Sequence, residues 1–167
     1  GGRIFTRCLP LCCISPSTVM FRTELVKKLG GFREDFPVCE DYDLWLKICA
    51  TEDVGFIPEP LIKKYGGHAD QLSHRQKAMD ELRVRAMWDV RNHPSLTLHE
   101  RRSLFDEVVR KSEILIQGFE KHGHFAKAEE MRSVKNQSLD QVHHLNNAHS
   151  AAAFAPRSED TVSLNGN

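Results

Sequence analysis

The chain is 167 residues long, 40% hydrophobic, with 23 basic against 23 acidic side chains and a formal net charge of zero. That size fits one domain, or a small domain with an appendage. The charge balance excludes the basic footprint of a nucleic-acid binder, and no apolar run approaches the ~18 residues of a membrane span.

Five cysteines, an odd number without the spacing of a disulfide framework, point to a reducing, cytoplasmic setting. Cys8, Cys12 and Cys13 lack the paired offsets of a zinc site. Cys12, Cys13, Cys39 and Cys49 read instead as small buried hydrophobes. Gly1-Gly2-Arg3-Ile4-Phe5 has no initiator Met and no signal-peptide pattern, and reads as the interior of something longer.

In chain order, Leu9–Ile14 reads as a loop or short strand, and Ser17-Thr18-Val19-Met20-Phe21 predicts a buried strand. Glu24–Leu29, with acid early and lysines late, predicts a short helix stopped at Gly30. After a loop over 31–38, a helix is expected from about Asp41 to Thr51. Glu40, Asp41 and Asp43 crowd its start, where carboxylates cap free N–H groups and meet the positive end of the dipole. Three exceed that need, and a carboxylate at a helix start beside a glycine loop suits a general base.

Val54–Pro58 and Leu61–Tyr65 predict two short strands broken by Pro58-Glu59-Pro60, and Gly66–Ser73 a polar loop. Strand, helix, loop, helix, strand is an α/β pattern. Beyond Ser73 the pattern turns helical. A helix over 74–93 ends at His93-Pro94, and the Thr97–Glu100 capping box opens a second that runs to about Lys121. After a turn at Gly123, Phe125–Leu145 predicts a third. The expected division is residues 1–73 as the α/β piece, 74–146 as a helical extension and 147–167 as a disordered tail with little to bury.

Three blocks in order, Ile14–Arg22, Gly30-Gly31-Phe32 and Glu40-Asp41-Tyr42-Asp43-Leu44-Trp45-Leu46-Lys47, resemble the second half of a family 2 glycosyltransferase of the GT-A fold. The resemblance continues through Ile57–Ile62 to Gly67-His68 and covers about residues 10–73. It implies a partial, Rossmann-like GT-A sheet fragment. The implied activity is inverting transfer of a sugar from a nucleotide-sugar donor to an acceptor hydroxyl, of the hexosyltransferase kind used in polysaccharide biosynthesis.

The family's ED motif maps onto Glu40-Asp41, with Asp41 as the implied base and Glu40 second. Gly30 and Gly31 would line acceptor and donor sugar, and Trp45 is a core residue or the floor of a sugar site. His68 would help hold a divalent cation, Mg²⁺ or Mn²⁺, bound mainly by an upstream nucleotide-binding half. Asp41-Tyr42-Asp43 spells Asp-x-Asp, but the family's metal-binding motif lies in that upstream half, so Asp43 reads as a first-turn helix carboxylate. Without a βαβ nucleotide unit, the isolated chain is expected to be inactive or nearly so. The rival reading is a non-catalytic scaffold, in which helices 74–145 form an interaction module carrying a glycosyltransferase remnant.

Overall fold

A computed structural model describes residues 1–63, 65 and 79–153, with side chains through 147. Its elements are α1 (Phe5–Cys8), a 3-10 turn (Pro16–Thr18), α2 (Thr23–Lys28), α3 (Glu40–Thr51), α4 (Met79–Val90), α5 (Leu98–Lys121) and α6 (Phe125–Ala153).

The pivot is α3, in which Tyr42 to Leu46 and Ile48 to Ala50 are all buried, so the helix is covered on two sides. Tyr42, Leu46, Cys49 and Ala50 recur at helical spacing and form one stripe. That stripe enters a core with Phe5 and Cys8 of α1, Val84 and Met87 of α4, and Leu104, Phe105 and Val108 of α5. Leu44, Trp45 and Ile48 form the other stripe, packed on Val19, Leu25, Val26 and Leu29 around α2. The Tyr42 hydroxyl donates to the Leu9 carbonyl at 2.7 Å, which locks α3 to the end of α1. The main core runs from Phe5 to Met131 and is shared between the segment before Ser73 and the helices after it.

The capping box at Thr97 forms as its spelling predicts. Glu100 N–H donates to Thr97 Oγ1 at 3.2 Å, and Thr97 N–H donates to Glu100 Oε2 at 2.9 Å. Arg3 adds a bidentate pair to Glu100, at 2.6 and 2.9 Å, and donates to the carbonyls of Ala50 and Ser95. At the far end of α5, Gly123 takes φ 75°. Its N–H reaches the Glu120 carbonyl at 3.0 Å, while His124 N–H reaches that of Phe119 at 2.8 Å. This is a Schellman closure, and it turns α6 back along α5.

The expected α/β fold, a GT-A Rossmann-like sheet fragment, is overturned. No β-strand occurs among the described residues, where the only β pairing is an isolated antiparallel bridge between Gly2 and Val54. Ser17–Phe21, expected as a buried strand, instead begins in the 3-10 turn and leaves Met20 98% exposed. Phe56 and Leu61, expected in two further strands, are 74% and 72% exposed. β-branched, apolar composition fits a pleated surface, but a strand exists only where a neighbour completes its ladder. Pro58, at the end of the first of these two runs, and Pro60, just before the second, further remove backbone donors. At the other end, α6 continues to Ala153, past residue 147 where a tail was expected, through an alanine-rich stretch of high helix propensity. Residues 154–167 lie outside the described part.

Candidate functional site

The N-terminus of α3 is built on an unusual backbone residue. Cys39, its N-cap, has φ 64° and ψ 16°, the only non-glycine in the left-handed region among the described residues. A side chain there costs about 1–2 kcal/mol. The residue is nonetheless buried. It turns the chain sharply from the loop after α2 into the helix, and Glu40 and Asp41 follow at once, both half-buried.

No side chain caps α3 from the N-cap position. Asp41 does part of that work itself: its Oδ1 accepts from the Tyr42 N–H at 2.7 Å. Its Oδ2 accepts from the Cys12 thiol at 3.3 Å. Burial, and then the Asp41 charge, push the Cys12 thiol up to about 12, so at neutral pH it is a hydrogen donor. A carboxylate has about four acceptor positions, so two donors orient Asp41 and leave it able to take a proton.

Asp43 behaves differently from its two neighbours. It is 1% exposed and pairs with Lys47 at 2.5 Å and with Arg33 at 3.6 Å. Arg33 also reaches Asp35 at 2.8 Å and Asp89 at 2.5 Å, and its guanidinium lies 4.1 Å above the Phe36 ring. The hydrogen bond to Asp35, against a smaller effect of burial, holds the Arg33 pKa above its usual range. Asp43 thus fastens the loop after α2, and α4 through Asp89, to the buried side of α3.

Gly30 and Gly31, expected near a sugar, close α2. With φ 85° and 69°, they complete a Schellman motif: Gly30 N–H bonds the Lys27 carbonyl at 3.2 Å and Gly31 N–H that of Val26 at 3.0 Å. A Cβ on either would meet no atom within 4 Å, so the space above them is open. Trp45 is 2% exposed, with Phe21 and Phe32 against its ring at centroid distances of 6.1 and 6.3 Å. A sugar could stack on that indole only by displacing one of them. His68 lies outside the described residues, as do Asp70, Gln71 and Ser73.

Among the described residues no three His, Cys, Asp or Glu side chains converge as a cation site, so these residues alone do not fit the expected divalent ion. No described helix is long and apolar enough to cross a membrane. Among the described residues, two of the hollows, of about 230 and 340 Å³, are lined by residues that include Trp88, Arg91 and Asp140, and Thr6, Pro10 and Arg110. Neither contains Glu40 or Asp41. Sequence reasoning missed Cys12 and Arg33 as partners of the acidic turn. Their separations from Asp41 and Asp43, 29 and 10 residues, have no helical or strand period that would have revealed them.

No family profile matches this chain, and no solved structure matches it. One curated relative, the uncharacterised protein MT1568 of Mycobacterium tuberculosis (strain CDC 1551 / Oshkosh), is 30% identical over 73 residues, 41% of this chain. The chain spans only 23% of that protein's length.

Proposed function

We propose that this chain supplies the acceptor-side part of an inverting, nucleotide-sugar-dependent glycosyltransferase, with Asp41 as general base and Glu40 beside it. The observation that carries the reading is the Asp41 carboxylate, half-buried at the start of α3 and oriented by Tyr42 N–H and the Cys12 thiol. A base fixed from behind can accept the proton of an acceptor hydroxyl as that oxygen attacks the anomeric carbon. Inversion requires it on the face opposite the departing nucleotide. The open space above Gly30 and Gly31 is where a sugar ring can approach backbone closely.

In this reading the nucleotide, and the Mg²⁺ or Mn²⁺ on its phosphates, belong to a separate nucleotide-binding half, with His68 at most an added ligand. The setting is cytoplasmic, in keeping with five free cysteines. A second reading, a helical scaffold without catalysis, is favoured by the core that α3 shares with the helices α4 and α5.

The deciding experiment follows nucleoside diphosphate release from uridine and guanosine diphosphate sugars, with Mg²⁺ or Mn²⁺, by a protein carrying this segment. Asp41→Asn keeps the side-chain shape and removes the base, so turnover should fall ~10²–10⁴-fold with donor binding intact. Retention of most of the turnover by Asp41→Asn overturns the assignment.

A further inference from the structure

Cys8 and Cys13 place their sulfurs 3.3 Å apart, and the Cys49 sulfur lies 3.8 Å from that of Cys8. Cys8 ends α1 and is buried against the core, as is Cys49 in α3, whereas Cys13 is exposed. Between Cys8 and Cys13 runs only the short turn 9–12, outside any helix. Closing a bond from 3.3 Å to the ~2.05 Å of a disulfide requires a shift of about an ångström in that turn.

We infer that Cys8 and Cys13 form a reversible dithiol–disulfide pair, with exposed Cys13 as the point of entry and buried Cys8 as the resolving thiol. The co-reactant is a small-molecule disulfide. The Cys13 thiolate attacks one of its sulfurs, forming a mixed disulfide and releasing one thiol. The Cys8 thiolate then attacks the Cys13 sulfur and expels the second. Two protons leave the protein thiols, the protein pair is oxidised by two electrons, and the small disulfide is reduced to two thiols.

Although Cys13 reaches solvent, partial burial of its sulfur pushes the thiol up to about 11. The Cys49 contact together with burial raises the Cys8 thiol further still, so little of either thiolate is present at neutral pH and both exchange steps are slow. The pair therefore answers sustained oxidation. In a reducing compartment such a bond is transient and regulatory rather than structural. The same turn carries Cys12, which donates to Asp41. Closure should be felt there too, and that consequence alone rests on the function proposed above.

The test incubates the full chain with oxidised glutathione, blocks remaining thiols by alkylation and reads the intact mass. The native chain should go from five free thiols to three, lose the mass of two hydrogens, and recover on reduction. Cys12→Ser should still lose two thiols. Cys13→Ser should lose none, and Cys8→Ser should stop at a stable glutathione adduct, since its resolving sulfur is gone. Far-UV dichroism confirms that each variant is folded. A native chain that keeps five thiols or only acquires glutathione, or a Cys13→Ser chain that still loses two thiols, overturns the assignment.

Discussion

Arg33 stands 3.6 Å from Asp43, and through that contact a surface loop is tied to one of the most deeply buried carboxylates in the fold. Lys47 completes the arrangement one helical turn along α3. Asp43→Asn should destabilise the fold by ~1–3 kcal/mol, the usual range for hydrogen bonds to charged groups. The larger loss of a fully buried pair is not expected, because Arg33 and Lys47 keep some exposure and can rehydrate. Urea denaturation measures the difference. An unchanged midpoint would show that burying the carboxylate costs as much as its partners return.

The Glu100 carboxyl is held below the usual glutamate range. Burial pushes it upward, but Arg3 and the Thr97 N–H and hydroxyl outweigh that effect. A carboxylate with a depressed folded pKa contributes stability that is complete above its unfolded value, about 4.3, and lost as pH falls through the folded value. Thermal melts should therefore worsen as pH is lowered below about 4.3. Glu100→Gln should flatten that acid limb while lowering the melting temperature at neutral pH. A substituted chain with the same acid dependence would assign it to other carboxylates.

Thr97→Ala removes one half of the capping box and should cost ~1 kcal/mol. The helix it opens, α5, lies in the main core, so the loss should appear as a shift of the whole unfolding transition and not as local fraying. Circular dichroism at 222 nm against urea reads both. A two-step transition would contradict the single shared core.

Trp45→Ala should destabilise by ~3–5 kcal/mol, as deletion of a large buried aromatic does. Trp45→Phe should cost much less, because the indole N–H has no hydrogen-bond partner to lose. Chemical denaturation ranks the two. If a sugar does reach this ring, Trp45→Phe would also weaken acceptor binding, which stability data alone would not register.

What the sequence revealed was local. Leu29-Gly30 announces the end of α2, and Thr97 with Glu100 announces the start of α5, because caps are written within four residues. The crowding of Glu40, Asp41 and Asp43 was visible for the same reason. Their different roles were not: what separates buried Asp43 from half-buried Asp41 is which stripe of α3 each joins and what lies opposite. The strands failed for a related reason. Val19-Met20-Phe21 has the composition of a strand, but strand formation depends on a distant partner that no local pattern specifies.

The three-residue turn between α5 and α6 bears on the order in which the molecule assembles. Contacts across that turn close short loops, whereas Arg3 and Glu100 are 97 residues apart. The entropy of loop closure grows with the length enclosed, and local contacts form fastest. The α5–α6 hairpin should thus condense early, and the clasp of Arg3 on Glu100 should be among the last events. Pulse-labelled hydrogen exchange would find amides of α5 protected before those of α3. Until α3 docks on α4 and α5, its stripe of Tyr42, Leu46, Cys49 and Ala50 faces water, and that interval is when a refolding chain is most prone to associate with its neighbours.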